Sequence, residues 1–524
     1  MNVNVSPARI AVRWQSSRLT NAFYQMIWSA GVLLLPITSL PLIIDFTSAS
    51  TVAPPTPVLF LLLGVVWLFP LILLRGQMPV EVVPFLAFLL VVFISWGASF
   101  FLNTPPFRGK SVFSEGIEAL VTLAFAAAVY LVTSAWLSRG QDKLRFGLVL
   151  LNWGGAILIA WSMVQAVIIL FFEGDFSFKM IQFQNMFSSR HDPLFVTRIT
   201  GFAYEPSWFA HQLNMVYLPV WLAASLTGFT AQRRKLGRLS VENILLVCGV
   251  ISLYLSFSRV GWISFLAIIA WLFLGFFRKA VNIFSNWLLS RTWIASVIGK
   301  GGIKAALLKG LSTFLVFFLF AAFFLSIGIG LLYLGIKIDP RLARIASRDL
   351  FAAGSFYHLT NYLEFAERVL YWAAGWNIFN AHPLLGVGLG NAGFYFPQKM
   401  PAFGWSLTEV NQLFNYQAII PNIKSMWVRI LAETGLVGIS VFAAWYYMLW
   451  QSGRLARQAK DQILRVTGLA GQFVLIAFLV EGFSIDSFAL PYFWFAVGLL
   501  SAAAALTRRS FLEEKKETAE TASS

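Results

Sequence analysis

"PVLFLLLGVVWLFPLILL", residues 57 to 74, runs its whole length without a charged side chain. That is the length an α-helix needs to cross a hydrocarbon layer of roughly 30 Å. Similar runs recur at 22 to 46, 83 to 102, 117 to 136, 146 to 172, 208 to 226, 241 to 257, 261 to 277, 311 to 336, 426 to 450, 466 to 484 and 488 to 506, about twelve expected spans in all. The composition agrees: 58% hydrophobic residues, 12% charged residues and a mean hydropathy of +0.73 cannot be solvated as a water-exposed surface. The expected fold class is an all-α integral membrane protein, because helices satisfy every backbone hydrogen bond inside lipid.

Arg9, Arg13 and Arg18 precede the first span, whose apolar stretch is longer than a signal-peptide core. It is expected to stay as an uncleaved helix, with the N-terminus in the cytoplasm. The basic stretches "SRGQDKLR" (138 to 145), "AQRRKLGR" (231 to 238), "GRLARQAKDQILR" (453 to 465) and "TRRSFLEEKK" (507 to 516) then all fall inside, as the positive-inside rule requires. The expected organisation is a bundle over 1–336 holding spans one to nine, a large and mainly helical extracytoplasmic loop over 337–425, spans ten to twelve over 426–506, and a disordered cytoplasmic tail over 507–524. Within 278 to 310, bulky apolar residues alternate with spaced lysines, which predicts a helix at about 280–310 lying in the headgroup layer as an anchor.

The net charge of +16 does not call for nucleic acid, since most Lys and Arg sit in cytoplasmic loops where topology alone explains them. The informative cations are the outer ones: Lys179, Arg190, Arg198, Arg259, Lys337, Arg341, Arg344, Arg348, Arg368, Lys399, Lys424 and Arg429. An ionisable group at a membrane edge is costly unless it faces a cavity or a partner, so an outward-facing anion site is their simplest common cause. A single cysteine, Cys248, excludes an intrachain disulfide, and His191, His211, His358 and His382 show no zinc-ligand spacing. No metal and no cofactor are expected.

Residues 381 to 395, "AHPLLGVGLGNAGFY", satisfy G-x-G-x-x-G from Gly388. A dinucleotide fingerprint needs a strand before it and a helix after it. Here a helically spaced segment precedes it and the proline-broken "FYFPQKMPAFGW" comes after, so the context is wrong for a nucleotide. The glycines are expected to end a helix and to let the backbone pass close to other helices or to a ligand.

Four stretches in order carry a resemblance: "RITGFAYEPSWFAHQL" (198 to 213), "SFSRVGWISF" (256 to 265), "ERVLYWAAGWNIFNAHPLLGVGLGNAGF" (367 to 394) and "MWVRILAETGLVG" (426 to 438). Over roughly residues 180 to 450 the chain resembles the bacterial O-antigen ligase and polymerase superfamily. It departs from many members, ligases above all, where a histidine opens the last of these helices: Lys424 and Ser425 stand there instead, which tilts the expectation from ligase toward polymerase.

The resemblance implies a GT-C-like bundle and a metal-independent glycosyltransferase. It would act on undecaprenyl-pyrophosphate-linked oligosaccharide at the outer face of the inner membrane, with the bilayer and a chain-length regulator as further partners. The sister activities are transfer to lipid A-core and protein O-glycosylation. A twelve-span transporter is the alternative from another class, disfavoured by the lack of half-to-half similarity and by the long asymmetric outer loop.

For the site, the resemblance implies Arg259 and Arg368 as forks for the leaving pyrophosphate. Their bland alternatives are snorkelling for Arg259 and a pair with Glu364 for Arg368. Arg198 is a further candidate. Its spacing to Glu205 suggests two turns of one helix face or a salt bridge, and Glu205 is then either a structural partner or the base that takes the acceptor proton, with His358 and Glu409 as other candidate bases. Lys424, Arg429, Gly388 and Gly390 complete the expected substrate-binding set. Arg341, Arg344 and Arg348 read as a solvated face, His382 as a helix-terminal residue, and Asp486 has no assigned role.

Overall fold

The structure is a computed structural model that describes residues 18–47, 52–75, 78–189, 194–232, 239–290, 303–338, 365–416 and 420–523. Arg9, Arg13, Arg190, His191, Arg341, Arg344, Arg348, His358 and Glu364 lie outside the described residues. The helices, in chain order, are α1 (Arg18–Leu33), α2 (Pro41–Thr47), α3 (Pro55–Leu74), α4 (Val82–Ser99), α5 (Val112–Leu137), α6 (Gln141–Phe171), α7 (Phe178–Asn185), α8 (Pro206–Gln212) and α9 (Leu218–Thr227). They continue as α10 (Val241–Leu255), α11 (Arg259–Leu289), α12 (Ile303–Ile338), α13 (Ala366–Ala381), α14 (Met426–Ala456), α15 (Gln462–Glu481) and α16 (Tyr492–Ser523). The protein is an all-α integral membrane protein.

Among the described residues nine helices, α3, α4, α5, α6, α11, α12, α14, α15 and α16, are long and apolar enough to cross a membrane. Three of the expected twelve spans take other forms. The run 22–46 is broken into α1 and α2, because Pro36 offers no N–H to the turn before it. The break is held by backbone bonds from Leu40 to the Ala53 carbonyl and from Ala53 to the Thr38 carbonyl, each 3.0 Å. The run 208–226 becomes α8, a π-helical turn at Leu213–Tyr217 and α9. Residues 209 to 224 are all buried, which is how a helix carrying His211, Gln212 and Asn214 survives inside the bundle. The run 241–257 gives only the 15 residues of α10, ended by the left-handed Phe257 (φ 48°).

Two boundaries also differ from expectation. Residues 280–289 continue α11 and 303–310 begin α12, so these parts of the expected headgroup helix belong to two long helices. The tail expected to be disordered continues α16 to Ser523. It is tied to the bundle by Arg508 Nη2, 2.6 Å from the fully buried Glu81, whose Oε1 also accepts from Ser452 at 2.8 Å.

The core is aromatic. Trp445 of α14 lies against Phe85 (4.9 Å between ring centroids), Tyr130 (5.3 Å) and Trp494 (6.0 Å), so one side chain joins α4, α5, α14 and α16. Such rings bury large areas and, in offset or edge contacts, each pair adds about 0.5–1.5 kcal/mol beyond burial. At one end of the bundle α13 and the chain up to Ile423 form a second core: Leu370, Tyr371, Ile378, Phe394, Phe396 and Val410 are buried with Phe107 and with Ala432 of α14. That end carries the candidate site residues Arg368 and Lys424.

Candidate active site

α14 is interrupted at Gly435 (φ 65°, ψ −164°), a conformation essentially closed to any residue with a Cβ. The break removes two helical hydrogen bonds, and the glycine-rich turn replaces both. The carbonyls of Ala432 and Glu433 accept from the amides of Val387 (3.1 Å) and Gly388 (2.9 Å), while the freed amides of Leu436 and Val437 donate to the carbonyls of Pro383 (2.7 Å) and Leu384 (3.2 Å). Ser95 of α4 adds its hydroxyl to the carbonyls of Leu385 (2.6 Å) and Glu433 (2.7 Å). Two stretches about fifty residues apart thus form one hydrogen-bonded unit, and no buried backbone group in the exchange is left unmet.

Gly386, Gly388 and Gly390 all have positive φ (67°, 88° and 84°). A Cβ at Gly388 would come 2.6 Å from Ser99 Cβ, and one at Gly390 would come 2.7 Å from the Glu115 carbonyl oxygen. The close approach at these glycines is to helices α4 and α5. The Gly388 amide is already engaged by Glu433, so its part in binding substrate is at most through the shape of the turn.

Arg368 sits in the first turn of α13, partly exposed, and Nη1 donates to the Ser484 carbonyl at 3.3 Å. Its remaining donors have no partner among the described residues. Arg259 opens α11 and is also partly exposed. Ser258 before it caps the helix, its Oγ accepting from the Gly261 amide at 3.3 Å. Arg198 reaches the same corner from the other side, donating to the carbonyls of Ser256 (3.0 Å) and Phe257 (3.4 Å) at the C-terminus of α10, where a cation complements the helix dipole.

The two helical turns expected between Arg198 and Glu205 are not formed. Gly201 takes φ 57°, the stretch is a series of turns, and α8 begins only at Pro206. Glu205 accepts from the Ser207 hydroxyl at 3.0 Å instead. Gln165 of α6 holds these turns, its Oε1 accepting from the amides of Thr200 (3.0 Å) and Gly201 (2.9 Å).

Lys424 has left-handed backbone (φ 52°) and its amide is held by Asn422 Oδ1 at 3.0 Å. Its ammonium group pairs with Glu409 and lies 5.0 Å from the centre of the Tyr371 ring. Tyr371 donates to the same Glu409 oxygen at 3.3 Å. Burial first, and then the Glu409 charge, hold the Tyr371 phenol well above its usual range, so it remains a donor. Both partners of the Lys424–Glu409 pair are about a third exposed (31% and 35%), so a ligand can reach them.

Arg429 is different. It is buried, its Nε pairs with Glu433 Oε2 at 3.0 Å, Nη1 donates to the Asp486 carbonyl, and the guanidinium lies 5.2 Å from the Phe488 ring centre. Its fork serves the protein rather than a ligand, and the backbone of Asp486 gains a role. His382 is the C-cap of α13, and burial first, then the nearby Lys399, push its pKa down.

Residues 244–443 match the O-antigen ligase family. This supports the O-antigen ligase and polymerase superfamily, whose members are enzymes acting on polysaccharide. No curated protein matches the chain. The matched stretch takes in Arg259, Arg368, the glycine turn, Lys424 and the Gly435 break, whereas Arg198, Glu205, His211 and Glu481 lie outside it.

Sequence reasoning left out one group. His211 and Asn214 both bond the fully buried Glu481, His211 through Nδ1 and Asn214 through Nδ2 at 2.7 Å. Asn214 Nδ2 also reaches the Gly261 carbonyl at 2.8 Å. The available signal was a carboxylate, an imidazole and an amide inside expected spans, where ionisable groups are costly and generally have a purpose.

The Lys424–Glu409 pair gives a prediction. Lys424→Arg should keep most activity, because the charge and the ring contact survive. Lys424→Met should lower turnover on the order of tenfold, the worth of one charge-assisted contact. Polysaccharide chain length at matched protein level checks both.

Proposed function

We propose that the protein polymerises lipid-pyrophosphate-linked oligosaccharide repeat units at the outer face of the inner membrane. The observation that carries this is Arg368. Its partly exposed guanidinium spends one donor on the Ser484 carbonyl, leaving a fork matched in shape to phosphate oxygens at the end of the bundle where Arg259 opens its helix. In the reaction the bond from the anomeric carbon to the pyrophosphate oxygen breaks. A new bond forms to a hydroxyl oxygen of the next repeat unit, the proton of that hydroxyl passes to a base, and lipid pyrophosphate leaves. Paired arginines stabilise the charge that develops on the leaving group.

Glu409 and Glu205 are the carboxylates at this end that fit the base. Glu409 receives both Lys424 and Tyr371 on Oε1, so Oε2 remains for an acceptor hydroxyl. The outward orientation is supported by the opposite end of the bundle, where Arg139, Lys143, Arg457 and Arg508 gather as the positive-inside rule expects of a cytoplasmic face. Transfer of the finished polymer to lipid A-core is the second reading; the family match fits both activities, and Lys424 in place of a histidine disfavours the ligase.

The test is the surface polysaccharide of a strain lacking the gene. Loss of everything beyond one repeat on the acceptor is expected. Loss of even the first repeat would identify a ligase instead.

A further inference from the structure

A buried carboxylate in a membrane-spanning helix costs several kcal/mol unless both oxygens are met. Glu481, the last residue of α15, meets that condition with His211 on Oε2 and Asn214 on Oε1. The segment just after Glu481 gives such an arrangement its purpose. The carbonyl of Gly482 accepts from the Met426 amide (2.7 Å) and the Ser425 hydroxyl (3.2 Å) at the start of α14, that of Ser484 accepts from Arg368, and that of Asp486 accepts from Arg429. On the other side, Asn214 ties Glu481 to the Gly261 carbonyl in the first turn of α11, two residues after Arg259. Ser264 of α11 repeats the attachment one turn on, donating to the Ala477 carbonyl of α15 at 3.3 Å. The helix that presents Arg259 and the turn that holds Arg368 therefore meet at one carboxylate.

We propose that Glu481, with Asn214 and His211, is the positioning residue that sets Arg259 and Arg368 relative to each other. It touches no substrate. His211 fixes one oxygen and so the rotamer of Glu481, Asn214 carries the attachment to α11, and the 482–486 backbone carries it to Arg368 and to α14. This inference rests on the proposed pyrophosphate site.

The experiment is a double-mutant cycle on the full-length protein in detergent or proteoliposomes, with a lipid-pyrophosphate-linked repeat as substrate and the melting temperature of each variant recorded. Glu481→Gln is expected to lower kcat about thirtyfold, since misplacement of a clamp by about an ångström costs up to a hundredfold. Glu481→Asp should recover part of that loss. Adding Glu481→Gln to Arg368→Lys should lower turnover by no more than about threefold further, because groups that act as one unit do not add. A full multiplicative loss in the double variant would overturn positioning, and so would normal turnover of Glu481→Gln. If Glu481→Gln does not fold, Asn214→Ala keeps the His211–Glu481 pair and removes the link from Glu481 Oε1 to the Gly261 carbonyl. It should show the same non-additivity with Arg368→Lys, and unaltered turnover would overturn the proposal. Should Arg368→Lys itself turn over normally, the pyrophosphate site is wrong. Should only the Glu481 and Asn214 variants do so, that site stands and the positioning role falls.

Discussion

Arg368→Lys and Arg259→Lys are each expected to lose about a hundred- to a thousandfold in turnover while the charge is kept, the cost of removing one preorganised donor from a developing oxyanion, roughly 2.7 to 4 kcal/mol. The charge alone is insufficient because lysine offers a point donor where the guanidinium offers a planar fork. For Arg368 the structure sharpens the expectation. Nη1 is committed to the Ser484 carbonyl, which fixes the plane of the group and aims the other donors. A lysine ammonium has three donors but no coplanar pair of them, so it cannot reproduce the two parallel bonds to phosphate oxygens. Protein level and melting temperature should be near those of the parent, since both arginines are partly exposed and neither fills a core position. Turnover of a lipid-linked repeat at equal protein concentration decides it. Normal rates for both variants would remove the arginines from the site.

Gly435→Ala is the second large effect, and it acts on folding. The alanine must either adopt φ 65° with ψ −164°, at a cost of about 1–3 kcal/mol or more, or straighten α14. Its Cβ would also collide with the Leu384 carbonyl, which is backbone and cannot rotate away. Straightening would restore the helical bonds within α14 and orphan the amides of Val387 and Gly388 with the carbonyls of Pro383 and Leu384, each costing about 1–3 kcal/mol when buried. The expected result is little folded protein in the membrane, read by fluorescence size-exclusion chromatography. Gly435→Ala at parental level and melting temperature would mean the exchange between α14 and the glycine turn is not needed for folding. Gly97→Ala, where a Cβ meets nothing within 4 Å, is the matched control.

The bundle was largely legible because apolar length is a direct signal: the run 57–74 lies on α3, 117–136 lies on α5, and all but the last three residues of 466–484 lie on α15. It misled where apolar residues surround a helix breaker, as at Pro36, and along 208–226, where the composition suggested lipid contact but the helix is enclosed by protein and carries His211 and Asn214. For the site, the motifs around Arg259, Arg368 and the glycine turn fall together at one end of the bundle. They could not reveal that the last two motifs exchange backbone hydrogen bonds, because a glycine with positive φ looks in sequence like any other glycine. The Lys424–Glu409 pair and the Glu481 group were hidden for a different reason. Their members are far apart in the chain, and only packing decides which carboxylate faces which cation. Arg429 shows the converse, since a cation at an expected membrane edge turned out to be a buried ion pair with Glu433.

The most direct test of the central claim is turnover by the purified protein in proteoliposomes given a lipid-pyrophosphate-linked repeat unit as its sole sugar substrate. The products are to be resolved by size and the released lipid pyrophosphate measured. The predicted result is a ladder of lipid-linked oligomers rising by one repeat per step, with one lipid pyrophosphate released for each bond formed. No oligomer in the repeat alone, together with a single transfer when lipid A-core is added, would contradict it.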